Sequence, residues 1–325
     1  MYEAYYGLRE RPFDLSPNPR FLFLSKKHGE ALAHLRYGLT GRPGITVLIG
    51  EAGTGKTTLV RSALQPTNGH APNSAVVHLS NPTLTRLEFY EYLAGGFGFS
   101  ETAAISKTRF LQELEQALED HPADQPLALI VDEAQSLPHE LLEEIRLLTN
   151  LQSPSGRSLA VGIVGQPELA SRLNEDRLRQ LKQRISLRCE LTPLDLQETA
   201  AYISARVRVA GGRPELLFTR DAVSAIHEHS RGIPRTISVI CDNALVNGFA
   251  TDIKPISRGI VLEVCRDFHL DSPSVNGDPS KTVAPKGGPA RVTAGPLTPV
   301  ERPQSQFRDS KSLFAGFTRK RFSFF

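Results

Sequence analysis

Five short strand-sized runs, four of them apolar, are spaced out by longer amphipathic stretches and organise the chain up to about residue 191. Ile45–Ile49, Ala75–Leu79, Leu127–Val131 and Leu159–Val164 have the length and the largely apolar content of buried strands, and Ser186–Leu191 reads as a fifth strand. Helical spacing fills the gaps. Lys27–Leu39 repeats Ala31, Leu32, Leu35 and Leu39. Thr108–Leu118 aligns Phe110, Leu111, Leu114 and Leu118, and Pro138–Leu151 aligns Leu141, Leu142, Ile145 and Leu148. Thr57–Leu64 and Leu84–Leu93 read as helices as well. Strands alternating with helices predict an α/β fold with a parallel five-stranded sheet and helices on both faces. After Pro193 the strand pattern stops. Leu196–Val209, Asp221–His229, Thr236–Phe249 and Ser257–Phe268 all predict helices, a small all-helical lid domain. The expected organisation is a loop-helix segment over 1–40 belonging to the α/β body, an α/β core over 41–194, the helical domain over 195–270, and a tail over 271–325.

Composition alters this picture only in the tail. Residues 271–325 contain seven Pro and five Gly, and lack apolar periodicity until the last few positions. Such a segment cannot bury enough apolar surface to offset its ordering entropy, so it is expected to be disordered. It also carries nine Lys/Arg against four Asp/Glu, whereas the whole chain has a net charge of only +3. The body is therefore close to neutral, which argues against a nucleic-acid surface there. Leu313, Phe314, Phe317 and Arg319–Phe325 form a short basic-aromatic patch suited to a partner protein or an anionic membrane. Cys189, Cys241 and Cys265 have no metal-ligand spacing and read as small apolar residues of a reducing compartment. No run approaches the roughly 18 apolar residues of a membrane span, and the N-terminus has no signal-peptide core. A cytoplasmic protein is expected, peripherally attached to the inner membrane at most.

The chemistry-bearing residues fall at the ends of the predicted strands. Gly50-Glu51-Ala52-Gly53-Thr54-Gly55-Lys56-Thr57 fits G-x-x-x-x-G-K-[ST], with a strand before it and a helix after it that Thr58 continues. Glycines let the backbone bend around phosphate oxygens and present N–H groups to them, and the helix N-terminus adds partial positive charge. Lys56 is expected on the β- and γ-phosphates of ATP, and Thr57 on Mg²⁺. The strand Leu127–Val131 ends in Asp132-Glu133. Asp132 is expected to hold Mg²⁺ through water, and Glu133 to orient the attacking water. A carboxylate that activates water argues against a kinase. Gln166, at the end of the fourth strand, is expected to reach the γ-phosphate or the water. The basic run before the fifth strand makes Arg184 the candidate for insertion into a neighbouring subunit's site, with Arg179 and Arg188 as rivals. Arg235, in Gly232-Ile-Pro-Arg235, is expected to reach back over the cleft to the nucleotide. The aromatic N-terminal stretch Tyr5–Phe13 and the Tyr37 region are candidates for the adenine wall.

The order of these motifs resembles AAA+ ATPases. MYEAYYGLRERPFDLSPNPRFLFLS, Lys27-His28, GEAGTGKTTL, VDEAQSL, VGQPEL, QRIS and GIPR together resemble the general secretion pathway protein A family, over about residues 1–270. The resemblance implies a P-loop AAA+ fold and ATP hydrolysis by a homo-oligomer serving a cell-envelope export system. It implies Lys56, Thr57, Asp132 and Glu133 as core positions, with Gln166, Arg184 and Arg235 matching sensor one, the arginine finger and sensor two. Secretion-type members often continue into a membrane span and a periplasmic peptidoglycan-binding domain; here a Pro-rich tail follows residue 270, so any link to export is expected to be indirect. The alternative is a nucleotide-gated DNA-binding adaptor like those that select targets for transposition, which share DEAQ-type strings.

Overall fold

The computed structural model describes residues 1–16, 18–39, 44–65, 76–80, 83–122 and 126–270. The tail over 271–325, with its expected basic-aromatic patch, lies outside the described residues. Five parallel strands form one sheet: β1 (Ile45–Gly50), β2 (Val76–Leu79), β3 (Ala128–Val131), β4 (Ala160–Gly165) and β5 (Ile185–Leu191), in the order β2-β3-β4-β1-β5. The helices in chain order are α1 (Glu3–Tyr6), α2 (Lys26–Gly38), α3 (Lys56–Ala63), α4 (Arg86–Phe97), α5 (Glu101–Ile105), α6 (Lys107–Asp120), α7 (His139–Leu148), α8 (Pro167–Arg172) and α9 (Arg179–Lys182). The helical body then holds α10 (Leu196–Val209), α11 (Pro214–Leu217), α12 (Arg220–Ser230), α13 (Pro234–Ala250) and α14 (Arg258–Asp267).

The two-residue period of the strands divides their side chains between two cores. Ile45, Val47, Ile49, Leu129, Val131, Val161 and Ile163 join α4, α6 and α7 in one apolar cluster. Leu48, Ile130, Val164 and Leu191 join α2 and α3 on the other face. Burial on both faces explains why β3 and β4, and β1 apart from the buried Thr46, are apolar runs rather than alternating ones. The first core is dense in aromatics: Phe110 is fully buried, with its ring 5.0 Å from that of Tyr90 and 5.5 Å from that of Phe99. Phe110→Ala is expected to cost about 3–5 kcal/mol, read as a lower urea midpoint at an unchanged slope. A loss below about 1 kcal/mol would mean the site collapses around the deletion.

Two capping boxes fix helix starts that periodicity alone leaves vague. Thr85 with Glu88 sets the start of α4, and Asp195 with Glu198 that of α10. The five helices of four to six residues, α1, α5, α8, α9 and α11, are too short to show a hydrophobic period. Residues 1–40, expected as one segment, divide between two cores. Tyr2, Tyr6, Leu8, Phe13 and Phe21 pack with the helices of the C-terminal body, while Ala31, Leu32 and Leu35 of α2 pack on the sheet.

Candidate functional site

All strands run parallel, so Gly50, Asp132 and Gln166, which end or follow β1, β3 and β4, converge at one edge of the sheet. The strand that delivers Asp132 is not the neighbour of the phosphate-loop strand. β4 lies between them and sets Gln166 between the loop and the acidic pair. Even so, Thr57 Oγ1 donates to Asp132 Oδ2 at 2.7 Å across that gap. Asp132 is buried, and its backbone N–H is held by the Leu79 carbonyl at 2.8 Å.

The loop itself is tightly built. Lys56, 4% exposed, donates from Nζ to the carbonyls of Gly50 (2.8 Å) and Glu51 (3.0 Å). Burial lowers its pKa, against the opposing pull of the Glu133 and Asp132 charges. Thr54 closes the turn by donating its hydroxyl to Glu51 O at 2.8 Å. Gly53 has φ +84°, and a Cβ there would stand 2.8 Å from Cβ of Arg235. Only glycine therefore permits both the left-handed turn and the close approach of the helical body. Arg235 completes the contact by donating its backbone N–H to Gly53 O at 3.2 Å.

Glu133 adopts the left-handed conformation (φ 51°, ψ 35°), which is strained for a residue with a side chain and turns the chain sharply out of β3. Its carboxylate accepts from Gln166 Nε2 (3.0 Å) and from Gln135 Nε2 (2.6 Å). Burial pushes its pKa up, but these two amides and the Lys56 charge outweigh burial and hold it below the ordinary value. Glu133 thus stays ionised at neutral pH.

A cleft of about 340 Å³ opens beside the loop. Its walls include Lys56, Thr57 and Glu133, Arg235 and Tyr202 of the helical body, and Asp14, Ser16 and Phe21 of the N-terminal segment. The aromatic stretch expected to wall it, Tyr5–Phe13, lies upstream of these residues. Tyr6 and Phe13 are core residues of the helical body, and Tyr37 does not line the cleft. Arg206 also faces the cleft. It stacks over Phe21 and Tyr202 with centroid distances of 5.0 and 5.4 Å, and donates to the carbonyls of Pro12 (2.5 Å) and Asp14 (3.0 Å).

Arg184 sits elsewhere. Its carbonyl accepts from Ile45 N–H at 2.8 Å, so it stands where β1 begins, five residue steps from Gly50. At about 3.3 Å per residue, roughly 16 Å of strand separates it from its own loop. Arg179, Arg184 and Arg188 are all exposed, and none forms an ion pair among the described residues.

Three contacts escaped sequence reasoning. His28, buried at the start of α2, meets Ser25 Oγ at 2.8 Å through Nδ1, and donates from Nε2 to Thr54 O at 2.9 Å. The Ser25-x-x-His28 spacing at a helix start was its only signal. Gln135 is the second amide on Glu133, legible as the last letter of Asp132-Glu-Ala-Gln135. Arg206 carried no signal, because the carbonyls of Pro12 and Asp14 that it binds lie nearly two hundred positions away.

Among the described residues no cluster of three or more His, Cys, Asp or Glu could hold a metal. The paired oxygens of Thr57 and Asp132 are hard donors that suit Mg²⁺, which would complete its shell with water and phosphate oxygens. No helix among the described residues is long and apolar enough to cross a membrane.

The sheet order, the loop and the helical body define an AAA+ P-loop protein, and residues 39–173 match the AAA domain family. Within that class the chain is a relative of general secretion pathway protein A: it is 41% identical over 266 residues to that protein of Aeromonas hydrophila. The match takes in 80% of this chain and 47% of the relative, so the chain spans about half the length of that protein. The fold is also shared with the ORC2 protein of Aeropyrum pernix, solved with ADPNP and ADP (TM-score 0.60, 18% identity, 79% of this chain and 71% of that one). It is likewise shared with Cdc6p of Pyrobaculum aerophilum (TM-score 0.58, 17% identity, 79% and 70%) and with Drosophila ORC bound to DNA (TM-score 0.57, 18% identity, 79% and 64%). At these identities the likeness is one of fold.

Proposed function

We propose that the chain binds ATP with Mg²⁺ at the Gly50–Thr58 loop and hydrolyses it to ADP and phosphate. The observation that carries this reading is the meeting of Thr57 with Asp132 at 2.7 Å, beside a Glu133 carboxylate aimed by two amides. The loop N–H groups and the N-terminus of α3 take the phosphates, and Lys56 leaves its two carbonyls to neutralise them. Thr57 and Asp132 hold Mg²⁺, which supplies charge neutralisation at the phosphate oxygens when bound. Glu133, ionised, accepts a proton from the attacking water or orients it, and Gln166 fixes the position of that carboxylate. Arg235 ties the helical body to the loop, so nucleotide occupancy biases the angle between the two.

Arg184 is too far from its own loop to act there, and its exposure suits action on a neighbouring copy in a homo-oligomer. The relationship to general secretion pathway protein A supports a role in driving the assembly or operation of a cell-envelope export system, with a membrane or envelope protein as partner.

Mixing Arg184→Ala protein with Glu133→Gln protein tests both the chemistry and the oligomer. Each variant alone is expected to release phosphate at least about 10²-fold more slowly than wild type, since an arginine finger is worth roughly 10³–10⁵ in rate. The mixture is expected to recover a measurable fraction of turnover, because some interfaces pair an intact Glu133 with an intact Arg184. Mixtures no faster than their parts would remove Arg184 from the role.

A further inference from the structure

We propose that Arg172 is a positioning residue. It fixes Gln135, through Gln135 it fixes the Glu133 carboxylate, and it ties both to the segment that carries Arg179 and Arg184. The inference rests on the reading of Glu133 as the residue that handles water.

Gln135 sits in the single 3-10 turn Ala134–Ser136 that follows Glu133. Its amide nitrogen donates to Glu133 Oε2 at 2.6 Å, and its Oε1 accepts the backbone N–H of Gln166 at 3.0 Å. One side chain therefore spans the ends of β3 and β4. The space it uses exists because residue 165 is glycine: a Cβ there would fall 2.9 Å from Gln135 Oε1 and 2.8 Å from Leu169 Cδ2.

Arg172 ends α8 and holds this turn from behind. Its Nη1 donates to the Gln135 backbone carbonyl at 2.6 Å, and its Nη2 to His139 Nδ1 at 3.4 Å. An imidazole that accepts at Nδ1 carries its proton on Nε2, and His139 Nε2 donates to Glu175 Oε2 at 2.8 Å. Glu175 is the N-cap of the turn Asp176–Leu178, which runs directly into α9 and then Arg184. Four hydrogen bonds thus join Glu133, Gln135, Arg172, His139 and Glu175 in one line.

The guanidinium makes no ion pair among the described residues and spends its donors on a carbonyl and a neutral ring. Its planar fork can serve both partners at once, which a lysine ammonium cannot do with the same geometry. A neighbouring subunit that shifts residues 175–184 would move Glu175 and, through Arg172, the aim of Glu133.

In the full-length chain, Arg172→Ala is expected to lower kcat for phosphate release about tenfold, with ATP Kd unchanged within about twofold. Arg172→Lys is expected to recover part of the loss. In nucleotide-free protein, the peptide containing the Gln166 N–H is expected to exchange hydrogen faster in Arg172→Ala, while a β5 peptide keeps the wild-type rate. The effects of Arg172→Ala and Gln135→Ala on kcat are expected to be non-additive. A wild-type kcat in Arg172→Ala, unchanged exchange at Gln166, or independent effects in the double variant would each overturn the proposal. If the alanine variant does not fold, a wild-type kcat and wild-type exchange in Arg172→Lys overturn it instead. Should Glu133→Gln turn over like wild type, the reading of Glu133 fails, and the exchange measurement still decides whether Arg172 holds Gln135.

Discussion

Lys56→Ala protein is expected to bind ATP at least about 10²-fold more weakly than wild type, a loss of about 2.7 kcal/mol. The side chain is almost fully buried, and its ammonium already lies within the loop against the carbonyls of Gly50 and Glu51. Burial makes the charged ammonium costly and lowers its pKa. A phosphate group relieves that cost and gains charge-assisted hydrogen bonds, each worth roughly 1.5–3 kcal/mol. Removing the side chain leaves two loop carbonyls to water, so only a modest change in melting temperature is expected beside the large loss of affinity. Titration with a fluorescent ATP analogue measures the effect. An affinity within threefold of wild type would show that the phosphates sit somewhere else.

The second large effect separates binding from chemistry. Glu133→Gln is expected to keep ATP affinity within about threefold, because neither the loop nor the Thr57–Asp132 pair is touched. Phosphate release is expected to fall about 10²–10⁴-fold, the usual contribution of a positioned base. The substitution is close to isosteric, but its amide meets the amides of Gln135 and Gln166, which now face a weaker acceptor. Single-turnover phosphate release under saturating ATP is the measurement. A rate near wild type would leave the strained conformation of residue 133 without a chemical purpose.

Much of this architecture was legible in the amino-acid pattern, and the reasons differ by element. β3 and β4 are apolar throughout, and β1 apart from the buried Thr46, because helices cover both sheet faces, so each stood out as a run. The residues that directly follow those runs, Gly50–Thr57, Asp132-Glu133 and Gln166, could be placed at one sheet edge because all the strands are parallel. The order of strands was not legible: nothing local to β3 or β1 says that β4 comes between them. The short helices lacked enough residues for a period. The contacts of His28 with Thr54, of Gln135 with Gln166 and of Arg172 with Gln135 span 26 to 37 positions in sequence, where spacing carries no information. The N-terminal aromatics were expected at the cleft and were not assignable to the helical body, whose other members begin near residue 194.

That assignment has a mechanical consequence. The polypeptide passes from the helical body to the sheet body between Phe21 and Ser25, and returns between Leu191 and Leu194. Two covalent crossings leave one easy freedom, a swing about the line that joins them, like a gate hung on two pins. Trimming the first twenty residues would loosen one pin by removing the segment that anchors it, and would take the rings of Tyr2, Tyr6 and Phe13 out of the gate's own interior.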